Sequence, residues 1–239
     1  MIGLGTLINT AAIAAGGLLG AVFGRVLKEN VQDTLMKACG ISTLFLGIAG
    51  ALEGMLKVSG NQVESDGAML VVGCLALGGL VGELLGIEAG FERFGVFLRE
   101  KTGNGRDSRF VDAFVTASLT VCIGAMAIVG SIADGISGDY SILATKAVLD
   151  LIIIMVMSSS MGKGAVFSLI PVAVLQGSIT LMARWIAPWM TAAALSNLSL
   201  VGNVLIFCVG INLVWGKVIR VANFLPAVAF AVLAAFLPL

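Results

Sequence analysis

Long apolar runs that recur along the whole chain restrict its fold more than any other feature of the sequence. A run of roughly 20 apolar residues can cross a bilayer as a helix. In lipid such a run must be helical, because a helix satisfies its backbone hydrogen bonds internally. About eight runs can be drawn, over residues 4–23, 35–56, 68–85, 111–133, 142–158, 165–183, 198–215 and 222–237. We therefore predict an all-α integral membrane protein, a single domain over residues 1–239 with about eight transmembrane helices.

The polar residues are too few for a soluble enzyme. Charged residues make up 12% of the chain and hydrophobic residues 59%, whereas a soluble domain carries about twice that charge. The 14 basic residues balance the 14 acidic ones, so the lipid bilayer is the expected partner and nucleic acid is not. The chain has no histidine and no CxxC pair, which excludes a Ser-His-Asp triad and disfavours a metal site. We expect no enzyme activity and no cofactor.

Basic residues between the runs indicate how the chain is threaded, because cytoplasmic loops are enriched in Lys and Arg. With eight spans and both termini outside, the inside loops hold Arg25, Lys28, Lys37, Arg93, Arg99, Lys101, Arg106, Arg109, Lys163, Lys217 and Arg220. The outside then holds only Lys57, Lys146 and Arg184. The bias weakens if the fifth run does not cross. We predict both termini outside and the 87–110 loop in the cytoplasm.

The 87–110 loop itself contains a second pattern. Phe91, Phe94 and Leu98 fall on one face of a helix whose remaining positions are largely charged. This pattern predicts a helix lying in the cytoplasmic interface.

Two glycine-rich segments suggest an internal repeat. Residues 16–24 and 78–86 share glycines at the first, second, fifth and ninth positions. Two helical hairpins, over residues 3–61 and 66–139, therefore look duplicated, and a fainter third copy covers 162–220 with opposite polarity. Inverted repeats are a transporter architecture. The alternative is that glycine-rich membrane helices resemble one another by composition.

The same glycines form stripes suited to close helix packing. The spacing of four places each set on one helical face: Gly16, Gly20 and Gly24 in the first repeat, and Gly78, Gly82 and Gly86 in the second. The stripes can pack helices within one subunit or form the seam of a homo-oligomer, and the motif alone does not choose.

Polar residues inside apolar runs are the candidates for function, because charge at membrane depth is costly. Lys146 and Asp150 lie four residues apart on the fifth run, the least secure span, and share a face. The densest polar group adds Ser158, Ser159, Ser160, Lys163 and Gln176. We interpret this group as the pathway of an ion or small solute. The alternative is a salt bridge near the surface followed by a loop.

Further polar residues lie outside this group. Glu53 and Asp134 occupy matching ends of the repeated helices and could attract cations on the outer side, or be two solvated acids. Asn9, Asn203 and Asn212 are expected to hydrogen-bond between helices.

Several of these segments together resemble a known bacterial family. Residues 1–9 with Gly16-Gly17, residues 138–150, Gly162-Lys163-Gly164 and Gln176-Gly177 are similar to the inner-membrane family called domain of unknown function 554, the YqgA-like proteins. The resemblance covers nearly the whole chain and implies a bacterial plasma-membrane protein. It implies no reaction and no binding residues.

Repeats, a broken-helix segment and intramembrane charge favour a small secondary transporter or channel for an ion or small solute. The alternative is a membrane scaffold or sensor that acts through helix packing. An intramembrane enzyme is the weakest of the three interpretations, because without histidine it would need a Lys/Asp or Ser/Lys pair.

Overall fold

The computed structural model describes residues 2–26, 28–59, 62–105 and 107–237. The helices are α1 (Leu4–Val26), α2 (Glu29–Met55), α3 (Ala68–Leu85), α4 (Ile87–Lys101), α5 (Phe110–Cys122), α6 (Ala125–Ser137), α7 (Ser141–Met161), α8 (Leu169–Leu181), α9 (Ala183–Ile186), α10 (Ala192–Trp215) and α11 (Pro226–Ala234). Short 3-10 segments cover Lys163–Ser168, Ala187–Trp189 and Val221–Phe224. The predicted all-α membrane fold is confirmed.

One small β-hairpin follows α2 and was not predicted. Strands β1 (Leu56–Ser59) and β2 (Gln62–Ser65) pair antiparallel, with Leu56 opposite Ser65. The hairpin caps the end of the bundle at which α2 finishes and α3 begins.

Six helices in the described residues are long and apolar enough to cross a membrane: Leu4–Gly24, Asn30–Met55, Ala68–Leu85, Ser141–Met161, Lys163–Leu181 and Ala192–Trp215. The pair α5 and α6 raises this to seven if it counts as one bent span, and Val221–Ala234 forms a shorter apolar segment. The predicted number of eight spans therefore stays a prediction. The fifth run, which seemed least secure, becomes α7, one of the six long helices.

The fourth apolar run, expected to be one helix over 111–133, is broken. Helix α5 ends at Cys122 and α6 begins at Ala125, and the two are bent by 62°. Gly124 lies between them with φ of 140° and ψ of 148°, a conformation open to glycine and strained for other residues. The sequence gives little sign of this break, because no charged or hydroxyl residue lies in the Cys122-Ile123-Gly124-Ala125 segment where it occurs.

Helix packing is built on three long-range pairings: α1 with α7, α2 with α10, and α3 with α11. Phe110, Phe114, Ile154, Met157 and Leu205 are among the largest fully buried side chains and bring α5, α7 and α10 together in the core. Many large apolar side chains on α1, α2 and α3 are exposed, including Leu18, Phe45 and Met69. Such a surface is expected of helices that face lipid.

The bundle has two chemically distinct ends. At one end, here called the basic end, Lys37 of α2, Arg109 before α5 and Lys217 after α10 line a common cavity. At the opposite end, Asp134 of α6 meets the start of α1. Residues that the sequence assigned to inside loops thus gather at the basic end. Which end faces the cytoplasm stays a prediction.

The helix predicted in the 87–110 loop is present as α4. Leu98 is buried, and the Phe94 ring lies 5.8 Å from that of Phe114 on α5 in an edge-on arrangement. Helix α4 therefore packs on α5 through the face that the sequence assigned to the membrane interface.

Candidate functional site

An ion pair lies inside the bundle in the first half of α7. The Lys146 ammonium is 2.7 Å from each Asp150 carboxylate oxygen. Lys146 is 7% and Asp150 3% exposed. Because both residues lie well inside a 21-residue helix, the charges are away from both ends of the span. We call Lys146 and Asp150 the buried pair.

Two amide side chains extend the buried pair toward α1 and α8. Asn9 Nδ2 donates to Gln176 Oε1 at 3.3 Å, and Asn9 also lies close to the Asp150 carboxylate. Asn9 is fully buried and Gln176 is 1% exposed. Within the described part of the chain, Asn9 Oδ1 and Gln176 Nε2 have no hydrogen-bond partner. One acceptor and one donor are therefore free beside the buried pair.

The break between α5 and α6 adjoins this group. Cys122, the last residue of α5, lies near both Lys146 and Asp150. The last four carbonyl groups of a helix lack intrahelical partners. At the end of α5, the Leu119 carbonyl accepts a hydrogen bond from the Ile123 amide. Backbone groups without helical partners therefore lie beside the buried pair. Within a membrane, such groups are tolerated only where they are buried in protein or line a cavity.

The three consecutive serines lie further along α7 and serve its own backbone and α1. Ser158 donates to the Gly17 carbonyl at 2.8 Å, and Ser159 and Ser160 donate to the Val156 carbonyl at 2.8 and 2.9 Å. Lys163 is exposed after the turn. Of the predicted pathway group, the structure thus places Lys146, Asp150 and Gln176 together and moves the serines and Lys163 to the basic end.

The turn after α7 has a second copy that the sequence analysis missed. Gly162 has φ of 109° and ψ of −176°, and Gly216 after α10 has φ of 85° and ψ of −178°. Each glycine is followed by a lysine, a 3-10 segment and a short helix with a proline near its start, at Pro171 and Pro226. The shared Gly-Lys and following proline were the available signal.

The two lysines of these turns differ in their partners. Lys217 binds Glu88 at 2.8 Å and also Glu92, both on α4. Partial burial lowers the pKa of Lys217, but the hydrogen bonds and charges of Glu88 and Glu92 outweigh it and raise the pKa overall. Glu88 also accepts the Ala222 amide at 2.9 Å. This contact group ties the second turn to α4.

A cavity of about 230 Å³ opens at the basic end between α2, α5, α7 and α10. Its rim carries three acidic and three basic side chains, which balance: Asp33, Lys37, Glu88, Arg109, Asp112 and Lys217. The apolar part of its lining reaches Leu119 on α5, one helical turn before Cys122. The cavity therefore leads toward the α5–α6 break, while the buried pair itself is enclosed.

Glu53 and Asp134 have different surroundings despite their matching sequence positions. Glu53 is exposed. Asp134 is fully buried, and its carboxylate accepts the backbone amides of Gly3 at 3.2 Å and Gly5 at 3.0 Å. Asp134 therefore satisfies free amides at the start of α1, as an N-cap residue does.

The first glycine stripe lies against α7. A Cβ added at Gly16 or Gly20 would collide with the carbonyl oxygens of Leu151 and Met155, and one at Gly24 would lie 2.7 Å from the Ser159 carbonyl. The two backbones approach this closely only because α1 has no side chain at these positions.

The second stripe is shorter than predicted. Gly78 and Gly82 lie against the backbones of Ala227 and Asn223, at the start of α11 and in the segment before it. Gly86 has φ of +62°, caps α3 and has no atom within 4 Å of an added Cβ. Oligomerisation stays a prediction, and it would need surfaces other than these covered glycines.

No group of three or more Cys, Asp and Glu side chains within the described ranges is arranged to hold a metal ion. The polar side chains described next to the buried pair are amides, and the Thr6 and Thr180 hydroxyls meet at 3.4 Å about one helical turn beyond Asn9 and Gln176.

Comparison with known proteins places these features in a family. A family described as protein of unknown function, DUF554, matches residues 4–236. The uncharacterized membrane protein YdfK of Bacillus subtilis (strain 168) is 29% identical over 223 residues, covering 93% of this chain and 91% of YdfK. The uncharacterized protein YqgA of Escherichia coli (strain K12) is 28% identical over 233 residues, covering 95% of this chain and 94% of YqgA. No solved structure matches the chain.

Proposed function

This chain belongs to the DUF554 family of membrane proteins, and we propose that it is a small secondary transporter or channel for an ion or small solute. We place it in the bacterial plasma membrane with both termini outside. The observation that carries the proposal is the buried pair in the first half of α7, beside the break between α5 and α6. Charged groups within a membrane span mark substrate or ion pathways, and broken helices form binding sites in transporters.

The unpartnered amide atoms of Asn9 and Gln176 support the same proposal. A buried polar atom without a partner costs about 1–3 kcal/mol, so a purely structural interior would gain by removing it. We assign the entry route to the cavity at the basic end, whose lining reaches Leu119, one helical turn before Cys122 beside the buried pair. We therefore interpret the structure as a closed state, opened by movement at Ile123–Gly124.

The second candidate is a membrane scaffold that acts through helix packing. Its strongest feature was the pair of glycine stripes, and five of those six glycines are covered by helices of the same chain. A scaffold would also have no use for an enclosed ion pair. The geometry favours transport on both counts.

A double variant, Lys146→Met with Asp150→Leu, tests the proposal. Replacing both partners of a buried ion pair with apolar residues is often neutral or stabilising, so we expect the variant to fold. In a screen against ions and metabolites we expect wild-type protein to be stabilised by its ligand, and the double variant to lose both this stabilisation and solute flux in proteoliposomes.

The matched control is Glu64→Gln, which changes a carboxylate on the exposed hairpin. It should keep wild-type flux and stabilisation. A double variant that transports and binds like the wild type would show that the buried pair is structural, and would leave the scaffold as the better interpretation.

A further inference from the structure

The buried pair is neutral as a unit, and this restricts what can bind to it. Lys146 has no described hydrogen-bond partner other than Asp150. A net charge enclosed at membrane depth is costly, so ligand exchange at this position should keep the total charge at zero. An anion entering beside Lys146 therefore requires Asp150 to take up one proton.

Other ionisable groups do not supply this compensation. Cys122 of α5 lies near the buried pair, but a thiol is ordinarily protonated at neutral pH and cannot take up a further proton. Asn9 and Gln176 are neutral amides. On α6, Asp134 is bound to the start of α1 at the far end.

The charges on the remaining neighbours of α7 lie at its ends. On α2, Lys37 and Asp33 pair with each other at 2.8 Å, and Glu53 is exposed. Lys163, in the segment after α7, is exposed as well. Asp150 is thus the group that can balance an anion at Lys146.

The free amide atoms indicate the shape of that anion. Once Asp150 is protonated, the Lys146 ammonium loses its carboxylate and can donate to a ligand carboxylate. Gln176 Nε2 is a second available donor, and Asn9 Oδ1 is an available acceptor. A carboxylate that carries a hydroxyl group satisfies all three.

We infer that the site joining Lys146, Asp150, Asn9 and Gln176 binds a small hydroxy-monocarboxylate together with one proton. This inference rests on the proposed transport function and names its substrate class. In each cycle one proton joins the Asp150 carboxylate and one anion pairs with Lys146, so the loaded and empty sites carry the same charge. Transport is therefore electroneutral symport.

A metal cation fits the site less well. Sodium or lithium could replace the Lys146 ammonium beside Asp150 if Lys146 gave up its proton, which also conserves charge. Hard cations need several oxygen ligands, and a cation that displaced Lys146 would meet the Asp150 carboxylate and Asn9 Oδ1. The Gln176 Nε2 donor would stay unpaired beside a cation, whereas an anion can accept from it, and this favours the anion.

The pH dependence of binding to wild-type protein distinguishes a carboxylate ligand from a metal cation. We would titrate purified protein in detergent with L-lactate, propionate and sodium or lithium chloride at pH 5.5, 6.5 and 7.5. Uptake of one proton with the anion weakens lactate binding about tenfold for each pH unit of increase. Propionate lacks the hydroxyl and should bind about tenfold more weakly than lactate, because Asn9 Oδ1 stays unpaired.

Two variants then assign the roles. Lys146→Met should abolish lactate binding, whereas Asp150→Asn mimics the protonated carboxyl and should make lactate binding independent of pH. Glu64→Gln should behave as wild type. In proteoliposomes, lactate uptake should follow a pH gradient and stay unchanged when a potassium diffusion potential is imposed, since no net charge crosses.

Binding of sodium or lithium that strengthens about tenfold per pH unit, with lactate inert, would overturn the inference and still support transport through Asp150. Lactate binding that is independent of pH in wild-type protein, or unchanged by Lys146→Met, would also overturn it. If neither lactate nor a metal cation binds, the inference is overturned. The proposed pathway is overturned separately if flux of other solutes persists in the Lys146→Met, Asp150→Leu variant.

Discussion

The Ser158 hydroxyl donates a 2.8 Å hydrogen bond to the backbone carbonyl of Gly17, which joins α7 to α1 across a chain separation of 141 residues. The bond depends on close approach of the two helices, which the neighbouring glycines permit. Because contacts follow the same order along both helices, from Gly5 with Leu143 to Gly24 with Ser159, α1 and α7 run parallel. Asn9 is thereby brought level with the buried pair.

Gly20→Leu should disrupt this interface. An added Cβ would overlap the Met155 carbonyl, and backbone cannot move aside as a flexible side chain can. Overpacking costs typically about 1–3 kcal/mol, so we expect a lower melting temperature and less monodisperse protein in detergent. The matched control is Gly73→Leu on α3, where nothing lies within 4 Å of an added Cβ. Equal stability of both variants would contradict the assigned packing.

Asp134→Ala should destabilise the fold, whereas Glu53→Ala should not. The first change leaves the Gly3 and Gly5 amides without their acceptor, and loss of an N-cap costs about 0.5–2 kcal/mol. The second change removes an exposed side chain and should alter the free energy of unfolding by no more than about 0.5 kcal/mol. Thermal unfolding of the two purified variants measures the difference. Equal losses would mean that the two acids have equivalent roles, as their sequence positions suggest.

Lys217→Met should weaken the connection between α4 and the turn after α10. Glu88 and Glu92 raise the pKa of Lys217 in the folded state, so the ion pairs stabilise the fold below the ordinary lysine pKa and are lost as pH rises through the raised value. Because Lys217 is partly exposed, we expect Lys217→Met to lower the free energy of unfolding by about 1 kcal/mol at pH 8.

The difference in stability between Lys217→Met and wild type should shrink at pH 11 and above. Lys217→Arg keeps the charge and should behave more like the wild type. A difference that stays constant from pH 8 to 11.5 would show that side-chain packing, and not charge, is responsible.

The predicted orientation can be tested with single cysteines in a chain whose four native cysteines are replaced by alanine. Ser108→Cys lies before α5 at the basic end, and Glu64→Cys lies on the hairpin at the opposite end; both positions are exposed. In intact cells, an impermeant thiol reagent should label Glu64→Cys quickly and Ser108→Cys only after lysis. The reverse pattern would place both termini inside.

Much of this architecture follows from local sequence. Apolar length predicts α1, α2, α3, α7 and α10, and the spacing of four places Lys146 and Asp150 within reach of each other on any helix. The partnership of Asn9 with Gln176 is different, because it joins helices far apart in the chain and depends on their packing.

The break at Gly124 and the second Gly-Lys turn were harder to predict for another reason. Glycine is common in membrane helices, so one more glycine in an apolar run gives no signal of a bend. In the case of Gly216, the segments after the two turns differ in length and in most side chains, so the shared Gly-Lys and later proline are a weak signal beside the likeness of the two backbones.

The bend between α5 and α6 has a consequence for how the chain enters the membrane during synthesis. Each half contains 13 residues and is about 20 Å long at about 1.5 Å per residue, shorter than a hydrocarbon core of about 30 Å. Neither half alone reaches water at both ends, so we expect the two to leave the insertion machinery together. Helix α7 follows α1 in the chain, so we expect α1 to be in place to shelter Lys146 and Asp150 from lipid.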